Sequence, residues 1–234
     1  MHPHDQRRGR PLLPAATSPK SLARLRRREL EASLARLGVE EQRFFGYPDG
    51  RLPQIPSGEV IARIHDALVE VQPDVIVTFG QDGFTGHPDH KSLSAWVTAA
   101  FWLWNEPEAR LCHAAVPAEW KDSFVPRLNE FDVFWPGHPR TCADPDVTLT
   151  LDDELLATKV EALRAHASQM TPLFDSYGDD FMRAVASKEH FRLSRQVGRK
   201  DLAGDTDAAS VVDLQHDPRR DALLEELPVS AAAA

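Results

Sequence analysis

The chain has 234 residues, of which 42% are hydrophobic, and this length supports one ordinary globular core but not two. Its 27 basic and 36 acidic residues give a formal net charge of −9. This charge excludes a global basic field that would attract nucleic acid or an anionic membrane, so we expect a small polar partner. Two isolated cysteines argue against a disulfide framework or a thiolate zinc site. With no apolar run that predicts a membrane span, we expect a cytoplasmic protein.

The chain begins with a segment that predicts loop or disorder and continues with a helix. Residues 1–17 are rich in Pro, Arg and His and show no periodicity. Ser18 and Pro19 are typical of a helix N-cap and first turn, and Gly38 is typical of a helix end. Five leucines between them fall near helical spacing, which predicts an amphipathic helix.

The rest of the chain predicts alternating helices and strands, and hence an α/β domain over 18–198. In chain order the pattern first predicts a strand at 41–45, a turn at 47–50, a helix from Ser57 to Pro73, a strand at 75–79 and a buried helix at 92–104. It then predicts strands at 111–115, 132–135 and 147–151, a helix at 152–167 and a last strand at 189–193. The acidic segment 199–234 predicts a disordered tail.

The candidate chemistry lies in segment 80–90, at the carboxyl end of the predicted strand 75–79, where open α/β sheets bind their ligands. His87 and His90 with Asp89 between them are residue types that suit zinc. Two histidines three residues apart also occur by chance. The alternative is a polar loop whose histidines only bond backbone groups.

The whole string from Val75 to His90, VxVTFGxDGxxGHPDH, resembles the second signature of the LmbE/PIG-L family of zinc-dependent N-acetylglucosaminyl deacetylases. Other segments resemble further family elements in the family's order. These are RxxEL at 26–30, an aspartate turn at 47–50, KxxAxxxHxSQ at 159–169 and a closing strand at 189–193. The resemblance therefore spans about residues 18 to 195.

The resemblance implies a Rossmann-like, three-layer α/β/α fold with a mainly parallel sheet and a zinc ion that activates water for amide hydrolysis. In that scheme His90 is a metal ligand, and His87 stabilises the tetrahedral intermediate or protonates the leaving amine. Asp89 orients a histidine from outside the ligand set. Arg26 and Asp49 contact the sugar hydroxyls of a small amino-sugar conjugate.

The family's first signature, an apolar strand that ends in HPDDE, has no counterpart in this sequence. That signature provides the other two metal ligands and the general base. The nearest string, His2-Pro3-His4-Asp5, places His4 where the base belongs, and residues 6–17 are too few for the family's intervening helix and strand of roughly 25 residues. We therefore expect the first βαβ portion to be missing and 2–5 to be loop. Zinc should then bind weakly or not at all, and catalysis should be impaired.

Two functions of different classes follow from these patterns. The first is a zinc-dependent hydrolase that removes acetyl from an N-acetylglucosamine-like conjugate. The alternative is a catalytically inactive sugar-binding or regulatory homologue, and a metal amidase acting on a molecule other than a sugar also stays open. The patterns do not indicate an oligomeric state.

Overall fold

The structure, a computed structural model, describes residues 18–142 and 144–194. The predicted outer segments 1–17 and 199–234, and with them the string 2–5, lie outside the described residues. The described chain divides into two compact units, each built from several stretches. The first unit comprises 18–46, 116–142 and 148–189, and the second unit comprises 47–115, 144–147 and 190–194. The predicted domain bounds of 18–198 stay a prediction.

Ten regular helices and strands make up the described chain. They are α1 (Pro19–Arg36), α2 (Ser57–Val71), β1 (Val75–Thr78), α3 (Pro88–Trp104), β2 (Arg110–Ala114), α4 (Ala118–Leu128), β3 (Val147–Thr150), α5 (Asp153–Ala165), α6 (Ala167–Ala186) and β4 (Lys188–Ser194). Short 3₁₀ helices cover Leu52–Gln54 and Asn129–Phe131. None of the helices in this part of the chain is both long and apolar enough to span a lipid bilayer.

The strands form one sheet in the order β1-β2-β4-β3. Strands β1 and β2 are parallel, so α3 between them completes a βαβ unit of the kind that Rossmann-like folds repeat. Strand β4 runs antiparallel to β2 and makes the described sheet mixed. The predicted α/β class is confirmed. The predicted loss of an earlier βαβ portion concerns residues before 18 and stays a prediction.

The second unit is built around a core of α2, β1, α3 and β2. Its buried cluster consists of Leu68, Ile76, Val97, Ala100, Phe101, Ala109 and Leu111. Strand β1 forms because its β-branched residues suit a half-buried pleated surface, and α2 ends where Gln72 adopts a left-handed conformation before Pro73. Helix α3 begins at Pro88, four residues earlier than predicted, because His87 acts as its N-cap.

In the first unit, the predicted helix from Ser18 is confirmed as α1. The Ser18 hydroxyl accepts the Ser21 N–H at 3.2 Å, and Gly38 follows the helix with φ +71°. The buried residues of α1 are Glu29 and Ser33, whereas the leucine stripe is only partly covered. Glu29 belongs to the network of Arg26 described below.

Two predicted strands are wrong, because their residues find partners outside a sheet. In 41–45, the Phe44 ring lies 4.0 Å from the Arg27 guanidinium, and the residue is 41% exposed. In 132–135, the Phe134 N–H donates to the Asn129 side chain at 2.9 Å, which satisfies the backbone locally. Helices α4 and α6 were not predicted. Helix α6 contains Pro172, and Gly178 inside it has the non-helical angles φ 73° and ψ 173°, so breaker residues hid its helical pattern.

The packing of α3 in the core of the second unit predicts that two nearby positions of this helix contribute very differently to the free energy of unfolding. Phe101 is 0% exposed and Leu103 is 65% exposed. Phe101→Ala should lower the free energy of unfolding by about 3–5 kcal/mol, and the matched control Leu103→Ala should change it by less than about 0.5 kcal/mol. Urea unfolding followed by circular dichroism measures both, and equal losses would contradict the assigned packing of α3.

Candidate active site

The loop between β1 and α3 places two histidines of the second unit beside each other. Gly83 makes this possible, since it has φ +74° and a Cβ there would lie 2.9 Å from Lys91 Cγ and 3.1 Å from His90 Cβ. The Gly83 N–H donates to the Gly80 carbonyl at 2.8 Å and closes the loop. The ring centroids of His87 and His90 are 5.1 Å apart as a result.

His87 caps α3 with its own ring. Its Nδ1 accepts the Asp89 main-chain N–H at 3.1 Å. An imidazole nitrogen that accepts a hydrogen bond carries no hydrogen, so neutral His87 has its hydrogen on Nε2. The backbone at the start of α3 therefore assigns His87 the role of an Nε2–H donor.

His90 has the opposite arrangement. Its ring stacks on Phe79 with centroids 4.0 Å apart and planes 5° apart, and Nδ1 lies 3.1 Å from both the Gly83 carbonyl oxygen and the Thr85 hydroxyl. Because a carbonyl oxygen only accepts, Nδ1 of His90 carries the hydrogen. Its Nε2 therefore has a lone pair, and no described residue hydrogen-bonds to that nitrogen.

The surroundings of His90 keep its ring neutral. Burial lowers the pKa of His90 and is the largest effect, and the nearby His87 ring lowers it further. The hydrogen bond to the Gly83 carbonyl and the carboxylates of Asp89 and Asp49 act in the opposite direction but do not reverse the shift. A neutral ring keeps the Nε2 lone pair available at neutral pH.

Asp89 connects α3 to the turn that carries Asp49. The buried Asp89 carboxylate accepts the Gly50 N–H at 2.7 Å and the Leu52 N–H at 3.2 Å. That the Asp89 carboxylate orients a histidine stays a prediction. In the structure, the main-chain N–H of Asp89 is the group that holds His87. Asp49 itself is exposed within this turn.

In the first unit, Arg26 belongs to a network that joins α1 to α6. Its Nη1 donates to the Ser168 hydroxyl at 2.7 Å and to Glu29 Oε2 at 3.3 Å. Glu29, 7% exposed, accepts the Ser168 main-chain N–H at 2.7 Å and the Ser168 hydroxyl at 2.6 Å. A carboxylate at the N-terminus of α6 satisfies an otherwise unpaired N–H and complements the helix dipole.

This network also sets the charge state of its members. Burial by itself would raise the pKa of Glu29, but hydrogen bonds from Ser168 and the positive charge of Arg26 together lower it. Burial lowers the pKa of His166, with Glu29 raising it and Arg26 lowering it. The result is an ionised Glu29 beside a neutral His166 at neutral pH.

The predicted site residues therefore fall into two groups. His87, Asp89, His90 and Asp49 come together in the second unit, and Arg26 lies in the first unit with Glu29 and Ser168. Glu29 and Ser168 lie in segments that resemble family motifs, but the sequence alone led us to assign them no role. Their positions inside two such motifs, as a carboxylate and a hydroxyl, are the signal that could have identified them.

The described residues do not by themselves form a complete metal site. Within 18–142 and 144–194, no group of three or more His, Cys, Asp or Glu side chains is arranged to hold a metal ion. The Nε2 lone pair of His90 fits one ligand position. A catalytic zinc site takes three protein ligands, so the role of His90 as a metal ligand stays a prediction.

Comparison with known proteins identifies relatives along most of the chain. A family profile described as "PIG-L: GlcNAc-PI de-N-acetylase" matches residues 5–101. A 1D-myo-inositol 2-acetamido-2-deoxy-alpha-D-glucopyranoside deacetylase from Corynebacterium glutamicum (strain R) is 31% identical over 157 residues, which cover 61% of this chain and 52% of the relative. The deacetylase of the same name from Thermobispora bispora is 30% identical over 220 residues, which cover 80% of this chain and 68% of the relative. The chain spans about half the length of the Corynebacterium relatives it matches.

Among solved structures, the N,N'-diacetylchitobiose deacetylase from Pyrococcus horikoshii, complexed with its inhibitor MPG, is similar to this chain. Its sequence identity is 19% and its TM-score is 0.48, and the match covers 80% of this chain and 68% of the other.

The ionised Glu29 predicts a pH-dependent contribution to stability. Glu29→Gln should lower the free energy of unfolding by about 1–3 kcal/mol at pH 7, because the charged acceptor is lost. The folded-state pKa of Glu29 is below the ordinary 4.5, so its contribution is complete above that pH and disappears as the pH falls through the lowered pKa. Urea unfolding from pH 7 to pH 3.5 should show the two proteins converging.

The control for this prediction is Glu31→Gln, an exposed position on the same helix that pairs with Arg27. It should change the unfolding free energy by less than about 0.5 kcal/mol at either pH. A constant difference between Glu29→Gln and wild type across the pH range would refute the assigned ionisation of Glu29.

The backbone contacts of the two histidines predict opposite tautomers. Long-range proton–nitrogen correlation spectra at pH 8 should show His87 with its hydrogen on Nε2 and His90 with its hydrogen on Nδ1. Thr85→Val should leave the tautomer of His90 unchanged, since the Gly83 carbonyl still accepts from Nδ1. The same tautomer for both rings would contradict the hydrogen bonds described.

Proposed function

Since this chain belongs to the PIG-L family, as its LmbE/PIG-L motifs predicted, we propose that it is a hydrolase that removes the acetyl group from an N-acetylglucosamine-like conjugate. The observation that carries the proposal is the adjacent pair of histidines, in which Nδ1 of His87 accepts a main-chain N–H and Nδ1 of His90 donates to a main-chain carbonyl. The relatives reported above support the substrate class, because their names describe deacetylases of a 2-acetamido sugar joined to inositol.

Amide hydrolysis needs a donor for the developing oxyanion or the departing amine. We assign this task to His87, because its Nδ1 accepts the Asp89 N–H and its hydrogen is therefore on Nε2, the nitrogen that donates. The donor needs no reorientation during the reaction, since the first turn of α3 fixes the ring. Burial and the neighbouring ring keep His90 neutral beside it.

Zinc is the cofactor that the family implies, and when bound it would polarise the acetamide carbonyl and lower the pKa of a water molecule. Among the described residues His90 is the candidate ligand, through Nε2. One donor does not complete a zinc site. The expectation of weak zinc binding and impaired catalysis stays a prediction.

The sugar contacts are assigned to Asp49 and Arg26. Asp49 presents an exposed carboxylate, and Asp89 holds its turn in place through Gly50. The Arg26 side chain is 31% exposed, and only its Nη1 is engaged with Ser168 and Glu29. Its remaining N–H donors suit sugar hydroxyls. The relatives reported above are named as deacetylases, which favours the hydrolase over the alternative of an inactive sugar-binding homologue.

The test is acetate release from N-acetylglucosamine linked to inositol and from N,N'-diacetylchitobiose, with and without added zinc. We expect slow acetate release by the wild-type protein, and added zinc should increase its rate. In His87→Asn the rate should be about 10²- to 10⁴-fold lower than in the wild type. His65→Gln, a histidine of α2 in the same unit, should retain wild-type activity.

The same preparations should be analysed for bound zinc, with His90→Ala as the comparison. Less zinc in His90→Ala supports the ligand role. Sugar binding without any acetate release in the presence of zinc would overturn the hydrolase and favour the inactive homologue. An equal loss in His87→Asn and His65→Gln would overturn the role given to His87.

A further inference from the structure

The main-chain carbonyl of Phe79 accepts two side-chain hydrogen bonds. Phe79 directly follows β1, and its oxygen receives the Ser94 hydroxyl at 2.8 Å and His113 Nδ1 at 3.0 Å. Ser94 on α3 is 1% exposed and His113 on β2 is 8% exposed. Two buried donors from different elements therefore fix one peptide group at the end of the strand.

His113 contributes to this arrangement as a neutral donor. Because the Phe79 carbonyl can only accept, Nδ1 of His113 carries the hydrogen. Burial lowers the pKa of His113, and the hydrogen bond to Phe79, which acts in the opposite direction, does not reverse the shift. The buried ring therefore adds no net charge behind the site.

The next residue leaves this peptide no room to move towards β2. A Cβ on Gly80 would lie 2.7 Å from the Ala114 carbonyl oxygen and 3.1 Å from Asp82 Oδ1. The main chain of 79–80 thus lies directly against β2, at the point where β1 and β2 pair between Thr78 and His113. Packing and hydrogen bonds restrain the same two residues.

The ring of Phe79 is the surface on which His90 lies. The two rings are stacked and nearly parallel, with planes 5° apart and centroids at 4.0 Å, while the Gly83 carbonyl fixes the rotation of the imidazole through Nδ1. Any displacement of the Phe79 main chain moves this surface and with it the direction in which Nε2 points.

We propose that Ser94 and His113 are positioning residues for His90, acting through the main chain and ring of Phe79. Neither residue belongs to the motif that carries His87 and His90. Their effect on catalysis rests on the proposed function, whereas their effect on the position of His90 does not depend on it.

The first experiment measures the His90 ring directly by NMR. Stacking on Phe79 shifts the His90 carbon-bound protons upfield, and Phe79→Leu should abolish this shift while Phe79→Tyr retains it. Ser94→Ala and His113→Leu should each reduce the shift, and the pair together should reduce it further. Ser94→Thr and His113→Asn keep a donor and should preserve the wild-type signals.

A matched control separates positioning from general stability. Val97→Ala lies in the buried core of the same helix and should lower the melting temperature without moving the His90 signals. If the double variant does not fold, the folded single variants decide the question. Wild-type His90 signals in folded Ser94→Ala and His113→Leu would overturn the proposal.

The second experiment compares kinetics in the zinc-supplemented assay. Ser94→Ala and His113→Leu should lower kcat roughly tenfold with little change in KM, because the sugar contacts are left intact. Altered His90 signals in a protein without deacetylase activity would reject the proposed function and leave the positioning role standing. Unaltered kcat together with unaltered His90 signals would reject the positioning role alone.

Discussion

The start of helix α3 is the constraint on which the candidate site depends. His87, Asp89 and His90 all belong to its cap and first turn, so the helix geometry determines their mutual positions. The Asp89 N–H orients His87, and the Asp89 carboxylate holds the turn that carries Asp49. The hydrogen position on His87 follows from this cap, whereas that on His90 is set by the Gly83 carbonyl in the preceding loop.

The parts of the fold that could be predicted are those whose cause is local in sequence. The caps at Ser18 and Pro19 and the β-branched run of β1 depend on neighbouring residues alone. The predicted strand at 132–135 was wrong because the hydrophobicity of Phe134 does not reveal that its N–H bonds to the Asn129 side chain. Helix α6 was missed because Pro172 and Gly178 are helix-breaking signals; Pro172 is accommodated within the helix, whereas Gly178 does interrupt its helical angles.

In the candidate site, too, features that are local in sequence could be predicted and contacts between distant residues could not. The motif predicted which residues of 80–90 matter, and the structure brings His87 and His90 together. It could not predict that Ser168 bonds to both Arg26 and Glu29, because Ser168 is 142 and 139 residues away from them and meets them only when α1 and α6 pack. The contacts of Phe79 with Ser94 and His113 were equally hidden, since hydrogen bonds across 15 and 34 residues leave no periodic pattern.

The loop before α3 also limits how this protein can be altered. The missing side chain at Gly83 is a spatial requirement, because the volume that a methyl group would occupy is already filled by Lys91 and His90. Random mutagenesis of the loop should therefore recover glycine at this position and diversity at the exposed Gln81. The exposed turn around Asp49 has more space for substitution, because side chains there extend into solvent.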